Sequence, residues 1–309
     1  MLITHNNKSQ SSFSLKCWLK ESVPQSVVQA NAQKIYHSVR KFFRNYSALF
    51  GLSILVVVIL CAIFAPWIAS YDIFSNDLAH RLQPPSREHY LGTDELGRDI
   101  FSRLVFGARI TLYIVFLTTI IVGPIGLIVG AAAGYIGGWV DTALMRIVDI
   151  FLALPGLILA LAFSAALGPG IENAAIAVSV VAWPSIARLA RAETLMIRSS
   201  DYVSAVYLQG ASAWRIIFFH IAPMCVPSVI VRLTLSMSSI ILTASGLSFL
   251  GLGAQPPSAE WGAMLSTGRD FMMTSWWLAV IPGCAILLTS LAFNLLGDGL
   301  RDILDPRNE

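Results

Sequence analysis

Three residues of this sequence are the most obvious candidates for acid–base chemistry, namely Asp149, Glu172 and His220. Carboxylates and imidazoles transfer protons when they reach the same reacting group. These three lie on different segments, and no Ser/His/Asp or metal-ligand spacing connects them. Asp149 also has Arg146 one helical turn away as an expected ion-pair partner. An enzyme embedded in a membrane is therefore kept as an alternative that has candidate residues but no catalytic motif.

A second group of acids, formed by Asp94, Glu95 and Asp99, has oxygen atoms that could ligate a cation. Arg98 and Arg103 are close enough in sequence to pair with these acids instead. Aspartates are also suited to capping short helical turns, a structural role that needs no metal. The four cysteines form no C-x-x-C pair and predict small buried apolar residues. We therefore predict no metal site and no disulfide.

Four polar residues recur at helical spacing inside an apolar segment: Arg232, Ser236, Ser239 and Thr243. Their spacing places them on one face of a helix. A charge inside a membrane span is costly, so such residues usually face protein or water. We predict that this stripe lines an aqueous cavity, where Arg232 favours an anionic group such as a peptide carboxylate. Snorkelling of Arg232 to the interface, or pairing with an acid of a partner subunit, stays open.

Residues 201–223, DYVSAVYLQGASAWRIIFFHIAP, carry several polar side chains between two strongly apolar segments. Residues 202–208 contain good helix formers, and Gly210 then permits a left-handed turn. A second helical run is predicted over residues 212–221, and Pro223 is predicted to end it. We call residues 201–223 the knuckle. Its shape predicts a surface that docks a partner, while an ordinary amphipathic connector is the alternative.

The composition indicates an integral membrane protein. Hydrophobic residues make up 56% of the 309 residues, charged residues only 13%, and the mean hydropathy is +0.69. A soluble domain carries about 25% charged residues. The apolar runs predict an all-α fold with six transmembrane helices, at about residues 48–69, 110–134, 142–167, 173–190, 225–250 and 275–296.

Residues 1–47 are predicted to be a cytoplasmic arm, and residues 48–309 the transmembrane domain. Residues 1–44 hold seven Lys and Arg against one acid, without interleaved stacking aromatics, so the arm does not predict nucleic-acid binding. Apolar residues from Val28 to Phe42 recur at helical spacing, which predicts an amphipathic helix on the membrane surface. A short coiled-coil seam is the alternative. No signal-peptide core precedes residue 48, so the first span is expected to be an uncleaved insertion signal.

Small residues and prolines shape the predicted spans. Gly126, Gly130 and Gly134 share one helix face, which predicts close packing against another helix. Pro155 predicts a kink in the third span. The uncharged run of the fourth span, residues 173–187, reaches only about 22 Å as a helix. This span must therefore extend into its charged flanks or meet other protein.

Loop charge predicts the orientation. With the N-terminus inside, the cytoplasmic segments hold 14 Lys and Arg, and the outside segments hold 6. This bias places both termini in the cytoplasm. The first outside loop weakens the bias, but its five Arg are matched by six acids.

Several motifs resemble those of one family of transport proteins. Residues 92–103 match a GTDxLGRDxxSR stretch throughout, and Ala205, Gly210 and Pro223 stand at the spacing of the cytoplasmic "EAA" loop of ABC importer permeases. The segments GAS, RII and HIAP of the knuckle, with LSFLGLG and FNLLGDGLRDILDPR further on, are similar to the dipeptide/oligopeptide/nickel branch. Ser204 departs from the pattern, since the loop's name-giving Glu would stand there. The resemblance covers residues 48–307.

The resemblance implies the type I permease fold and groups the candidate site residues. The ATPase-coupling loop, residues 191–223, would act through Asp201, Ser204, Ala205, Gly210, Ala211, Ser212, Trp214 and Arg215. The motif before the second span comprises Gly92, Thr93, Asp94, Gly97, Arg98 and Asp99. The polar stripe remains the candidate pathway.

The resemblance also implies the function: a non-catalytic permease subunit of the bacterial inner membrane that forms half of a pathway for short peptides. Nickel or a metal chelate, and glutathione, are alternative cargoes of the same branch. The implied partners are a second homologous permease subunit, two ABC ATPase subunits and an extracytoplasmic solute-binding protein. No G-x-x-x-x-G-K-[ST] loop occurs, so ATP and Mg²⁺ are expected on the ATPase subunits and no cofactor on this chain. A secondary transporter is a further alternative, but no inverted repeat is visible.

Overall fold

The computed structural model describes residues 26–304, apart from the side chains of residues 27, 28, 30, 31, 34, 35, 37–39 and 304. Nearly all of the polar segment at the N-terminus lies outside the described residues. Within them the chain is almost wholly helical and contains no strand. The helices are α1 (Val27–Arg44), α2 (Tyr46–Ile68), α3 (Ile100–Ile136), α4 (Gly138–Ala153), α5 (Gly156–Leu167), α6 (Ile171–Arg198), α7 (Asp201–Leu208), α8 (Ala213–Ile216), α9 (Ala222–Phe249), α10 (Trp261–Arg269) and α11 (Trp277–Leu304).

Helix α1 forms where the amphipathic helix was predicted, but most side chains of its predicted apolar face are outside the described part. Helix α2 follows after Asn45, whose side-chain oxygen accepts a hydrogen bond from the Ala48 N–H at 3.1 Å. The Asn45 amide also donates to Asp302 on α11 at 3.1 Å. This residue therefore begins α2 and ties it to the last helix. The division into arm and transmembrane domain stays a prediction.

Five helices are long and apolar enough to cross a membrane: α2, α3, α6, the continuous helix from Ala213 to Phe249, and α11. Helices α4 and α5 pass the same test as a pair that is bent by 96°. Large apolar side chains such as Val57 and Ile120 are exposed on the outside of the bundle, where lipid solvates them. The predicted all-α membrane fold is confirmed, with six crossings when the bent pair counts as one.

The bent pair runs from one end of the bundle to the other. We call residues 198–213 and their surroundings the knuckle end, and residues 69–99 with 250–276 the loop end. Arg198 donates a hydrogen bond to the Gly134 carbonyl at 3.4 Å, just before α4 begins. Ser164, near the end of α5, donates to the Leu252 carbonyl at 3.1 Å. The kink predicted at Pro155 is confirmed. It is a full break, because a residue before proline is disfavoured in the helical conformation, and Leu154 is extended with φ −94° and ψ 143°.

Helices α3 and α6 pack closely through the predicted glycine face. A Cβ on Gly126 would lie 2.6 Å from the Cβ of Ile186, and one on Gly134 would lie 2.8 Å from the Cβ of Thr194. A Cβ on Gly130 would overlap the carbonyl oxygen of Ala187. No real side chain fits at these distances, so the glycines permit backbone-to-backbone contact. Helix α6 spans Ile171–Arg198, so the fourth span extends into its charged flanks, which is one of the two outcomes predicted from its short uncharged run.

Two local predictions are wrong. Pro223 does not end a helix, because a π-turn at Ile217–Ile221 leads directly into α9. A π-turn widens the backbone and accommodates a residue that lacks an N–H donor. Arg146 does not pair with Asp149. Instead, Asp149 accepts a hydrogen bond from Arg188 of α6 at 2.5 Å, because the two helices lie side by side.

Candidate functional site

The knuckle is two short helices joined by a left-handed turn. Helix α7 ends at Leu208, and Gly210 follows with φ +82°. The Gly210 N–H donates to the Tyr207 carbonyl at 2.9 Å, and the Ala211 N–H donates to the Val206 carbonyl at 3.4 Å. This pair of bonds is the Schellman arrangement, in which the residue after the helix takes the left-handed conformation. Glycine adopts that conformation without strain.

A small apolar core fastens the knuckle to the bundle. Val203 of α7 and Ile216, Ile217 and Ile221 of the second half are all buried against a cluster that includes Ala131 near the end of α3. Burial of four aliphatic side chains stabilises this position by several kcal/mol, at about 1.5–3 kcal/mol each. The knuckle is therefore packed onto the bundle end through a shared apolar core.

The outward side of the knuckle is apolar and exposed. Leu208 is 84% exposed, Trp214 56% and Phe219 75%. Trp214 stacks on Phe218 with ring centroids 5.9 Å apart. Trp214 and Phe219 lie at the beginning of the continuous helix from Ala213 to Phe249, at the knuckle end of the bundle. Exposed apolar side chains of this size are candidates for contact with another protein.

The predicted coupling residues surround this patch. Asp201, Ser204, Ala205, Ser212 and Arg215 are exposed, and Ala211 is half-buried. The side chain of Ser212 caps α8 by accepting a hydrogen bond from the Arg215 N–H at 3.4 Å. Beside α7 lies an open cavity of about 640 Å³, lined by Tyr135, Ile136, Arg198, Val203, Ser204, Tyr207, Leu208 and Ala213. The knuckle thus offers both a projecting patch and a recess.

A hydrogen bond links the two halves of the knuckle. The Tyr202 hydroxyl and Nδ1 of His220 are 2.7 Å apart, which joins α7 to the π-turn. His220 is therefore occupied by a structural contact and does not meet the other acid–base candidates. Asp149 pairs with Arg188, and Glu172 is exposed at the opposite, loop end. The structure does not bring Asp149, Glu172 and His220 together.

The polar stripe lies on an open face of α9. Arg232 and Ser239 are exposed, and Ser236 and Thr243 are half-buried. The hydroxyls bond to their own helix: Ser236 donates to the Arg232 carbonyl at 2.8 Å, Ser239 to the Ser236 carbonyl at 2.9 Å, and Thr243 to the Ser239 carbonyl at 2.8 Å. In the part of the chain that the structure describes, Arg232 has no ion-pair partner. The stripe therefore has satisfied hydroxyls and one free guanidinium.

A second polar face of α9, which sequence reasoning missed, is buried. Ser238 and Ser290 of α11 have hydroxyl oxygens 2.6 Å apart, and Asn294 donates to Ser238 at 2.9 Å. These hydrogen bonds connect α9 and α11 inside the bundle and stabilise their packing. The polar residues of α11 recur at four-residue spacing, which was the available signal. The contrast shows that the outer stripe is not needed to hold this chain together.

The motif before α3 builds the loop end. Asp94 accepts hydrogen bonds from the Leu96 and Arg98 N–H groups at 2.9 Å, and from Nε of Arg98 at 2.6 Å. Arg98 also reaches Glu95 at 3.2 Å, and Arg103 lies 3.6 Å from Asp94. Burial raises the pKa of Glu95, with the Asp94 charge acting in the same direction. Two acids and two arginines thus neutralise each other in a mostly buried cluster.

Asp99 caps α3. Its carboxylate accepts hydrogen bonds from the Ser102 N–H at 2.8 Å and the Ser102 hydroxyl at 2.7 Å, and it lies 3.0 Å from Nδ1 of His89. Among the residues described, no group of three His, Cys, Asp or Glu could hold a metal ion. Asp94 and Asp99 are thus engaged by backbone N–H groups and by the side chains of Arg98, Ser102 and His89.

The remaining residues of the motif set its backbone. Gly92 and Gly97 have φ +82° and +76°. A Cβ on Gly92 would lie 2.6 Å from the Gln83 carbonyl oxygen. Thr93 donates to the His80 carbonyl at 2.6 Å. These contacts fold residues 77–99 into a compact cap on the bundle, which is a structural role.

Comparison with known proteins identifies the chain's relatives. Residues 124–309 match the family described as "Binding-protein-dependent transport system inner membrane component", and residues 37–85 match "N-terminal TM domain of oligopeptide transport permease C". A probable D,D-dipeptide transport system permease protein of Escherichia coli K12 is 46% identical over 82% of this chain and 85% of its own length. A di/tripeptide transport system permease protein of Pseudomonas aeruginosa is 45% identical over 87% and 90%. A glutathione transport system permease protein of Pectobacterium atrosepticum is 43% identical over 87% and 89%.

The first family match includes the knuckle and the stripe, and the relatives align over most of the chain. They agree with a permease that works with separate ATPase and binding-protein components, and they remove the membrane enzyme as an alternative. The chain therefore belongs to the family of binding-protein-dependent transport system inner membrane components, as a multi-pass, non-catalytic permease subunit of an ABC transport system.

Proposed function

We propose that this chain forms half of a transmembrane pathway that brings short peptides into the cytoplasm. Two of the relatives are named for dipeptide or di/tripeptide transport, which supports this class of cargo. The observation that carries the proposal is the stripe on α9, where Arg232 is exposed among three self-satisfied hydroxyl residues. A free guanidinium in an apolar span suits a carboxylate, which every unmodified short peptide carries at its C-terminus.

The assembly contains further subunits. A second homologous permease subunit supplies the other half of the pathway, two ABC ATPase subunits bind ATP and Mg²⁺, and a solute-binding protein delivers the cargo from outside. This chain binds no cofactor of its own. The bias of Lys and Arg, 14 against 6, supports a cytoplasmic position for both termini and for the knuckle end. The loop end then faces the solute-binding protein.

The knuckle is the joint that docks an ATPase subunit. Its exposed patch around Leu208, Trp214 and Phe219 fits an apolar recess of a partner, and Arg215 adds a charge at the rim. Closure of the ATPase subunits on ATP would pull the knuckle, and its buried aliphatic core would carry the movement into α3 and α9.

The same helix carries the knuckle and the stripe. From Ala213 to Phe249 the chain is one continuous helical span, so Trp214 and Thr243 are about 40 Å apart along it. The π-turn at Ile217–Ile221 is the irregular point of this helix, and π-turns often mark functional positions. A movement at the knuckle therefore reaches the pathway without crossing a loop.

Glutathione is the second candidate cargo. One relative is named for glutathione transport and is 43% identical to this chain. Glutathione is itself a short peptide with free carboxylates, so Arg232 could bind it through the same contact. The two cargoes differ in length and linkage rather than in the group that the stripe would recognise.

Thiol labelling tests whether the stripe faces water. Single cysteines are placed at Ser236, Ser239 and Thr243 in a variant that lacks the four native cysteines, and intact transporters are treated with a membrane-impermeant thiol reagent. All three positions should react. Ile240, which is 2% exposed, and Leu242, which is 53% exposed but lies about 100° around the helix from Thr243, are the controls and should not react. Equal labelling at all positions, or at none, would refute the cavity.

Uptake kinetics test the role of Arg232. The change Arg232→Gln should raise KM about 10- to 100-fold for peptides with a free C-terminal carboxylate, since a hydrogen bond to a charged group contributes about 1.5–3 kcal/mol. The KM for C-terminally amidated peptides should change little. For peptides with a free carboxylate, the KM of Arg232→Lys should lie between those of the wild type and Arg232→Gln. The solute-binding protein has its own preference between the two peptide types. This preference cancels when the KM of the variant is divided by the KM of the wild type for each peptide. An equal loss for both peptide types would show that Arg232 is structural.

A further inference from the structure

Glu260 is a buried carboxyl group at the loop end that the pathway does not use. It immediately precedes α10, and its side chain is completely buried. Oε2 accepts a hydrogen bond from the Ala263 N–H at 2.9 Å and so caps α10. Oε1 has no hydrogen-bond partner. An ionised carboxylate in this position would carry half of its charge on an unsatisfied buried atom, which is costly.

No cation of the described chain is shown to compensate Glu260. Arg103 of the neighbouring helix α3 reaches the same loop, but its guanidinium donates to the carbonyls of Pro257 and Ser258, at 3.4 and 3.2 Å. Its remaining charged contact is Asp94, at 3.6 Å. The Arg103 guanidinium is therefore already engaged.

The other charged groups on the surrounding elements are also paired or distant. Arg98 pairs with the acids of its own loop, and Arg269 pairs with Asp270 at the far end of α10. His89 contacts Asp99. Helix α9 contributes only Arg232, and α11 contributes charges only near the knuckle end. Glu260 thus sits among hydroxyls and apolar groups.

Two serines of α9 face the carboxyl group. The hydroxyls of Ser245 and Ser248 interact with it, although neither completes a hydrogen bond to Oε1 and the Ser245 hydroxyl has no partner. A Cβ on Gly262 would lie 2.7 Å from the Ser245 Cα, so α10 packs directly on α9 and leaves no room for a hydrated ion. Burial raises the pKa of Glu260, although the N–H groups of Gly262 and Ala263 favour its ionised form.

We propose that Glu260 is a positioning residue that works as a neutral carboxylic acid and fastens α10 to the rear of the pathway helix. One oxygen caps α10, and the proton on the other removes the unpaired charge and can be donated toward Ser245 or Ser248. By helix geometry these serines lie roughly 180° around α9 from the stripe. The contact therefore supports the helix from the side opposite the proposed cavity.

The proposal fixes the sign of a pH effect. Because the folded-state pKa of Glu260 lies above its unfolded value, both states hold the proton at low pH, and Glu260 makes no pH-dependent contribution to stability there. As the pH rises above the unfolded value, the unfolded chain releases the proton first, and the folded state loses stability until the pH passes the folded-state pKa. Replacement by an uncharged isostere should abolish this loss.

Thermal unfolding of the assembled transporter tests the proposal. The Tm of wild type, Glu260→Gln and Glu260→Ala is measured from pH 4 to pH 8, a range chosen around the ordinary carboxyl pKa of about 4.3. Glu260→Gln should match wild type at the acid end and become increasingly more stable than wild type toward neutral pH. Glu260→Ala should be less stable than Glu260→Gln throughout, because it leaves the start of α10 uncapped.

The matched control is Glu88→Gln, the same change at an exposed carboxylate of the loop end. It should leave the pH dependence of Tm unchanged, and it separates the contribution of Glu260 from that of the other acids. Uptake by Glu260→Gln should stay at the wild-type level across the same range. The proposal is overturned if Glu260→Gln is as unstable as Glu260→Ala at every pH, or if its Tm keeps the wild-type pH dependence. Neither result depends on which cargo the transporter carries.

Discussion

Replacement of Gly210 by valine tests the knuckle most sharply. Gly210 has φ +82°, and a Cβ there would meet no atom within 4 Å. Steric crowding therefore adds nothing to the free-energy cost of Gly210→Val, and the whole cost comes from the backbone conformation. A left-handed conformation costs an ordinary L-residue about 1–2 kcal/mol, with β-branched residues at the unfavourable end.

The alternative to this strain is loss of the turn. Unwinding it would break the hydrogen bonds from Gly210 to Tyr207 and from Ala211 to Val206, which contribute about 1 kcal/mol each. Strain of about 2 kcal/mol in the turn therefore brings its free energy level with that of the unwound form, and the ratio of docking to unwound geometry falls about 30-fold, to about 1:1. The fold should survive, because Gly210 and Tyr207 lie outside the apolar core under the knuckle, and Val206 and Ala211 pack only against its edge.

A graded series separates backbone strain from side-chain size. Gly210→Asn, Gly210→Ala and Gly210→Val are compared for membrane insertion, ATP hydrolysis and uptake in the assembled transporter. Asparagine tolerates the left-handed conformation, so uptake should fall in the order Asn, Ala, Val. Gly251 has φ +80° at the loop end and also has open space around its Cα. Gly251→Val is therefore the control for strain away from the knuckle, and it should leave ATPase coupling intact.

Two outcomes would refute this reasoning. If all three Gly210 variants transport like wild type, the turn is not part of the coupling surface. If Asn is as damaging as Val, side-chain bulk at a docked interface, rather than backbone conformation, determines the loss.

The packing of α3, an ion pair and the membrane topology can each be tested separately. Gly130→Ala should lower Tm, since overpacking costs about 1–3 kcal/mol, while Gly246→Ala, with its nearest neighbour at 3.7 Å, should have little effect. Asp141→Arg should reduce stability by about 1 kcal/mol, and adding Arg191→Asp should restore it by reversing their ion pair. A reporter active only outside the cytoplasm should work when inserted near Ser86 and stay silent at the C-terminus; activity at the C-terminus would overturn the topology.

Much of the architecture could be predicted from sequence because the bilayer imposes a simple rule. Apolar runs long enough to span it must be helices, and small residues on one face mark close packing. The predicted close packing is present between α3 and α6, through Gly126, Gly130 and Gly134. The left-handed turn at Gly210 was equally local, since the helix formers before it and the glycine itself determine the geometry.

Features that depend on partners across space were not predictable. Asp149 had Arg146 one turn away, but Arg188 of a separate helix is its partner, since the packing of α4 on α6 decides the pair. Pro223 was expected to end a helix. Instead, the π-turn before it accommodates the missing N–H donor, and the helix continues from the knuckle into α9. Glu260 carried no signal at all, because its significance lies in complete burial without a charged partner.

ATP-driven uptake tests the central claim most directly. Proteoliposomes containing this chain, its homologous permease partner and the ATPase subunits are supplied with the solute-binding protein and a labelled dipeptide. We expect accumulation that requires ATP and falls in Gly210→Val, while the complex still assembles. Accumulation without ATP, or ATP hydrolysis stimulated by loaded binding protein with no movement of any short peptide, would contradict it.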